Sequence, residues 1–308
     1  MTRVAAVDCG TNSIRLLVAD ADPATGELKS LDRRMEIVRL GQGVDRTGQL
    51  APEALERTFT ACRTYARTIE ELGAEHLRFV ATSASRDAKN RDEFVRGVVD
   101  ILGVEPEVIT GDQEAQFSFT GATKELSGRR DLEKPYLVVD IGGGSTEFVV
   151  GDEEVRAARS VDVGCVRLTE RHELSDPVTP AQIEAVRADV ASALDEVERT
   201  VPLAEARTLV GLAGTVTTVA GIALGLDSYD SAAIHHSRVS AVQVREIAQR
   251  LLSATHDERA AIPVVHPGRV DVIGAGALAL LTIMERTGAE EVVVSEHDIL
   301  DGIAWSLT

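Results

Sequence analysis

Two segments of this chain, 132 positions apart, carry the same set of chemically useful residues. Asp8-Cys9-Gly10-Thr11-Asn12-Ser13 closes the apolar run Val4 to Val7, and Asp140-Ile141-Gly142-Gly143-Gly144-Ser145-Thr146 closes Leu137 to Val139. A second apolar run follows each, Ile14 to Val18 and Phe148 to Val150. The pattern reads as a strand that ends in an aspartate, turns on glycine and small hydroxyl residues, and returns as a second strand. Such a turn offers backbone N–H groups and hydroxyls to an anion, and Asp8 and Asp140 are each placed to reach a hard cation such as Mg²⁺. The chemistry suggested is the handling of phosphate. Two copies point to a duplicated fold with a cleft between its halves.

Other groups could join that chemistry. The segment Thr82 to Asn90 follows an apolar strand, where α/β proteins place ligands, though its hydroxyls could equally cap the next helix. Arg86 within it suits a phosphate better than a helix N-terminus, which disfavours cations. Glu114 lies in a first helical turn, favourable on dipole grounds alone, yet a carboxylate there could also act as a general base. Glu147, seven residues after Asp140, could bind metal or orient water. Gly211 to Thr215 forms a glycine-bearing strand-to-helix turn, adequate for a phosphate or for packing. Gly274 and Gly276 read as close-packing positions. His235 and His236, being adjacent, would face different ways on a regular element, and neither has a partner at ligand spacing.

The elements that must position these groups alternate after each opening hairpin, which predicts an α/β architecture with helix-covered sheets. Leu55, Phe59, Cys62, Ala66 and Ile69 mark an amphipathic helix over 52–72, with Pro52 in its first turn. Strands are expected at 35–40, 77–81 and 107–109, and helices at 91–102 and 113–124. The polar stretch Glu125 to Pro135 suggests a boundary, giving domains 1–124 and 125–308, with the last helix able to pack back on the first domain. Beyond it, Thr179-Pro180-Ala181-Gln182 and Ser240 to Gln243 are capping boxes. Strands follow at 208–210 and 292–294, and a last helix at 299–307.

With 308 residues, 44% of them hydrophobic and 27% charged, the chain is globular and long enough for two domains. The net charge is −18, with 20 acidic and 15 basic side chains in residues 1–122 and 30 and 17 in the remainder. A nucleic-acid partner is not expected, because nothing supplies a phosphate-neutralising stripe. An anionic substrate is repelled at long range, although salt screens that repulsion beyond about 8 Å. The apolar stretch Val272 to Met284 is too short to span a bilayer and reads as a buried helix. Three cysteines without C-x-x-C spacing argue against a zinc or disulfide framework. No leader precedes the first strand pattern, so a cytoplasmic protein without a membrane partner is expected.

Taken in order, Asp8 to Ser13, Thr82 to Asn90, Gly111 to Ala115, Asp140 to Glu147, Gly211 to Thr215 and Arg269 to Gly276 resemble the exopolyphosphatase / guanosine pentaphosphate phosphohydrolase (Ppx/GppA) family. That family belongs to the actin, heat-shock chaperone and sugar-kinase superfamily, with duplicated ribonuclease H-like domains around a cleft. The resemblance implies Glu114 as catalytic base and Asp140 and Glu147 as the Mg²⁺-holding, water-positioning pair. It further implies Asn12, Ser13, Gly143, Gly144, Ser145 and, more weakly, Thr215 around phosphate, with Arg86 and Arg269 balancing charge. The implied reaction is attack of water on the terminal phosphate of inorganic polyphosphate, with pppGpp as the alternative substrate. An ATP-dependent phosphotransferase and a non-catalytic nucleotide-binding regulator remain as alternatives of other classes. A homodimer is compatible with the apolar helices. Cys9 and Thr11 replace a commoner leucine and serine, and Gln113 stands where a second glutamate often precedes the catalytic one. The chain ends without the further helical domains of longer members, so shorter polyphosphate is the expected substrate.

Overall fold

The first apolar run forms β1 (Thr2–Cys9), which turns back as β2 (Ser13–Asp22) and continues as β3 (Glu27–Ile37). The computed structural model describes residues 1–22, 24 and 27–308. After a long helix, Pro52–Leu72, the chain enters β4 (His76–Ala81), and after the helix Arg91–Leu102 it enters the short β5 (Glu107–Val108). The sheet order is β3-β2-β1-β4-β5, with β1 antiparallel to β2 and parallel to β4.

Alternation along β1 dictates what covers the sheet. Ala5, Val7 and Cys9 pack with Cys62, Tyr65, Phe94 and Val98 of the two helices. Val4 and Ala6 face the other way, against Ile299, Leu300, Ile303 and Ala304 of the helix Ile299–Trp305. The chain therefore forms a first compact unit of residues 1–121 and 299–308 and a second of 122–298. The last helix belongs to the first unit.

The strand expected at 35–40 is corrected to 27–37. It is an edge strand with charged, largely exposed residues, including Lys29, Arg33 and Arg34, so it lacks the apolar signature of a strand. Residues 38–41 instead cross the tip of the first hairpin. The Val38 and Arg39 amides donate to the Asn12 carbonyl at 3.1 and 2.8 Å, and Gly41 donates to Thr11 at 2.8 Å.

The second unit repeats the plan with β6 (Tyr136–Ile141), β7 (Thr146–Gly151), β8 (Val155–Val161), β9 (Thr208–Leu212), β10 (Arg238–Ser240) and β11 (Glu291–Val294). Its order is β10-β11-β9-β6-β7-β8. The pairing register matches that of the first unit residue for residue. Asp8 opposes Arg15 and Asp140 opposes Glu147, while on the other side Asp8 aligns with Val80 and Asp140 with Leu212. The hairpins close by the same bond, Gly10 N–H to Ser13 C=O at 2.9 Å and Gly142 N–H to Ser145 C=O at 3.1 Å. Leu137, Val139 and Ile141 point into one large core with the helices Pro180–Val197, Ala213–Ala223, Ala241–Ser253 and Ile273–Thr287. Both capping boxes, at Thr179 and Ser240, form. Among the described residues, no helix is long and apolar enough to cross a membrane.

The last helix approaches its neighbour so closely that a Cβ on Gly302 would lie 2.1 Å from the Phe117 carbonyl oxygen. Gly302→Ala should therefore lower the unfolding free energy by about 1–3 kcal/mol, the usual cost of overpacking. Urea denaturation checks this, and a midpoint equal to that of the parent would refute the tight contact.

Candidate functional site

In the first unit, three segments assemble around the end of β1. The turn Gly10 to Ser13 meets the residues after β4 through Thr11 and Ser83, whose hydroxyls lie 3.0 Å apart in a buried hydrogen bond. The chain then makes the short helix Ser83–Asp87, and Arg86 sits in its last turn, not at an N-terminus. That corrects the argument by which Arg86 seemed ill suited to the fold, since a cation is favoured at a helix end. Its NH1 donates to the Ile109 carbonyl at 2.9 Å and to Glu114 Oε2 at 3.2 Å. Arg86 thus ties the β4 loop to the start of the next helix and holds the Glu114 carboxylate in place.

Glu114 is buried, 8% exposed, in the first turn of the helix Gly111–Thr123. The helix begins with a capping box. Thr110 Oγ1 accepts the Gln113 amide at 3.3 Å, and Gln113 Oε1 accepts the Thr110 amide at 3.0 Å. Gln113 therefore positions Glu114 by fixing the turn that carries it. Asp8 is buried, and its Oδ2 accepts from Arg15 Nε and NH2 at 3.0 and 2.7 Å. Asn12 and Ser13, both partly exposed, form the turn itself.

In the second unit, the glycine turn is held from one side. The carbonyls of Gly142 and Gly143 accept amides of Cys165, Val166 and Arg167 at 2.9 to 3.1 Å, and the Gly144 carbonyl accepts Arg167 Nε at 2.8 Å. In a planar trans peptide the C=O and the following N–H point in opposite directions. The amides of Gly143, Gly144 and Ser145 therefore face away from the helix Cys165–Arg171, as a phosphate cradle requires. Beside this turn, Asp140 and Glu147 oppose each other across the β6–β7 pair, 6% and 1% exposed, and the Ser160 hydroxyl donates to Glu147 Oε1 at 2.7 Å. Two hard oxygen donors at one strand end fit a divalent cation such as Mg²⁺.

The second turn of this unit follows β9. Ala213 holds φ +64°, an uncommon conformation for a residue with a side chain. The next residue, Gly214, makes room for Arg269, whose guanidinium would be 2.2 Å from a Cβ there. Thr215 is 4% exposed and turned inward, and Gly276 lacks the Cβ that would clash with it. The Cys165 thiol, its pKa raised by burial, shares this corner with Thr215 and Arg269.

One cluster corrects the sequence reading. His235 and His236 were expected to diverge without partners, yet their rings stack 3.7 Å apart, because His236 takes φ +61° and leaves regular structure. Glu125 Oε2 lies 3.2 Å from both His235 Nε2 and His297 Nδ1. These three ligand atoms are close enough to suggest a metal. Two observations speak instead for a hydrogen-bonded cluster. His235 Nδ1 accepts the Glu296 amide at 3.1 Å, which leaves its proton on Nε2, facing Glu125. The His235 and His297 rings stack at 4.8 Å and 27°, so their in-plane lone pairs do not converge on one ion.

Two α/β units of this topology, each opening on a hairpin with a phosphate-type turn, define an actin-like ATPase fold. The model of the Ppx/GppA phosphatase family matches residues 17–308, and the chain belongs to that family. It is 52% identical over 318 residues to exopolyphosphatase 2 of Mycobacterium tuberculosis, covering 100% of this chain and 99% of that protein. It also resembles a crystal structure of an exopolyphosphatase-like protein at 44% identity and TM-score 0.94, covering 98% of this chain and 97% of that one. The crystal structure of the Aquifex aeolicus family member is 30% identical with TM-score 0.80, covering 99% and 97%.

The histidine cluster makes a pH prediction. Burial, then the neighbouring His235 and Arg129, push the His236 pKa down from 6.5 to about 4. Between these values the unfolded chain binds a proton that the folded chain does not, so stability falls as pH drops through that window. Thermal unfolding from pH 7 to about pH 5 should show a declining Tm. His236→Asn, which tolerates the positive φ, should flatten the decline. An unchanged slope would remove His236 from the pH response.

Proposed function

We propose that the chain is a Mg²⁺-dependent exopolyphosphatase that releases orthophosphate from the end of inorganic polyphosphate. The observation that carries this reading is the buried Asp140–Glu147 pair beside a glycine turn whose amides face away from its supporting helix. A chain of net charge −18 needs such local donors to hold a polyanion.

In this reading the amides of Gly143 and Gly144, the Ser145 group and the Asn12–Ser13 turn orient the terminal phosphate. Asp140 and Glu147 would hold Mg²⁺, which when bound would neutralise charge developing on the phosphate oxygens. Asp8, whose Oδ2 is held by Arg15, would offer its other carboxylate oxygen to the metal in the same reading. Glu114, oriented by Arg86, positions a water in line with the terminal phosphorus and accepts its proton. A new P–O bond forms to water, the bridging P–O bond breaks, and the shortened chain leaves with the electron pair. Arg269, seated on Gly214, offsets the charge of the chain. Hydrolysis of the 5′-terminal phosphate of pppGpp would use the same residues on the same bond. The family's name spans both activities.

Glu114→Gln should lower phosphate release about 10²- to 10⁴-fold, the range for loss of a general base, while leaving the fold intact. Steady-state phosphate release with circular dichroism as a folding control checks this, and near-parental activity would refute the assignment. Chains of about ten phosphates should be cut with higher kcat/KM than chains of several hundred, on the expectation that gripping long polymers needs surface beyond these two units. A preference for the long chains would overturn it.

A further inference from the structure

The two hairpin turns are braced by different elements. In the second unit the Gly142 carbonyl takes one amide and the Gly143 carbonyl two consecutive ones, all from the start of the helix Cys165–Arg171. In the first unit the Thr11 carbonyl takes the Gly41 amide, and the Asn12 carbonyl takes the consecutive amides of Val38 and Arg39. Peptide planarity then turns the Asn12 and Ser13 amides away from residues 38–41, as it does those of Gly143 to Ser145 in the other copy. The approach is close, since a Cβ on Gly41 would lie 2.3 Å from Thr11 Cγ2. Arg39 holds φ +50° here, a conformation that a residue with a side chain keeps only where its surroundings impose it.

A helix start is stiffened by its own hydrogen bonds, whereas residues 38–50 contain just the short turn Val44–Thr47 and form a strap. The strap is clamped at both ends. Arg57, exposed on the helix Pro52–Leu72, donates from Nε to the Val38 carbonyl at 2.8 Å. That carbonyl shares a peptide plane with the Arg39 amide, so Arg57 orients the group that holds Asn12. At the far end the Lys89 amide donates to the Gly48 carbonyl at 2.9 Å. Asn90 grips the Leu50 backbone in both directions, its Oδ1 accepting the amide at 2.8 Å and its Nδ2 donating to the carbonyl at 3.1 Å. Asn90 is the N-cap of the helix Arg91–Leu102, a position where asparagine is favoured because its side chain caps the helix. Among the described residues that side chain makes no cap bond and is turned to the strap.

We propose that Arg57 and Asn90 are positioning residues: by clamping the strap 38–50 they keep the Asn12 and Ser13 amides aimed at the terminal phosphate. The proposal rests on reading the Asn12–Ser13 turn as a phosphate site, and it adds two residues that act on that turn through the strap backbone.

The test joins kinetics to amide exchange. Arg57→Ala and Asn90→Ala are assayed for phosphate release from tripolyphosphate with Mg²⁺, and the segment 8–17 is followed by hydrogen–deuterium exchange in the Glu114→Gln background so that the ligand survives. In both variants KM should rise about tenfold, the scale of one hydrogen bond to a charged group. A turn that holds phosphate equally before and during reaction acts on binding alone, so kcat should stay within about twofold of the parent. The segment should exchange faster, and tripolyphosphate should protect it less. An unchanged KM in Asn90→Ala, which alters no charge, would overturn the proposal. So would a rise confined to Arg57→Ala that vanishes at about 1 M salt, where charges are screened beyond about 3 Å, since that is lost long-range attraction. A fall in kcat that tracks the folded fraction, with KM unchanged, would make both residues supports of the core alone. Absence of protection by tripolyphosphate with both clamps intact would instead remove the phosphate site at Asn12–Ser13, and the positioning role with it.

Discussion

One backbone hydrogen bond in each hairpin, from the glycine amide to the serine carbonyl three residues on, governs the rest of the molecule. It fixes the register of the first two strands, and in a strand pair a slip of one residue turns every side chain to the opposite face. With the register set, the odd residues of β1 and β6 enter the main cores and the aspartates fall at the strand ends, facing the other way. The parallel strand joins each hairpin in the same alignment, so the turns after β4 and β9 arrive beside the hairpin tips. Phosphate-type turns, carboxylates and helix starts are consequences of that one closure.

The two copies differ in charge at the cross-strand position that faces each aspartate. Opposite Asp8 stands Arg15, and opposite Asp140 stands Glu147. In the first pair two guanidinium N–H groups of Arg15 donate to one oxygen of Asp8, Oδ2. The second brings two buried carboxylates together, an arrangement that is destabilising unless a cation or strong donors offset it. The Ser160 hydroxyl supplies one such donor to Glu147.

Much of this was legible in the sequence, because the hairpins rest on local chemistry: apolar alternation, a glycine at a fixed offset and hydroxyls in the turn. The helices over 52–72 and 180–197 announced themselves by proline starts and stepped apolar positions. What escaped had identifiable causes. β3 is an exposed edge whose charged residues hide its strand character. The Thr110–Gln113 capping box has a plain sequence signature, Thr-x-x-Gln, overshadowed by the glutamate beside it. Arg15, though only seven residues from Asp8, becomes meaningful once the register is known. Glu125, His235 and His297 are separated by 110 and 62 positions, and only tertiary structure brings their side chains together.

The helix Ile299–Trp305 has a consequence for synthesis. It covers the Val4–Ala6 face of the first sheet, yet all of the second unit, residues 122–298, is translated between that sheet and its cover. At about 5–20 residues per second, the sheet waits roughly 10–35 s with one apolar face unclosed. The unit made first is thereby finished last. On the ribosome the second unit can reach its own core before the first does, reversing the usual N-to-C order of domain folding and leaving the β1–β2 face as the surface a nascent-chain chaperone would meet.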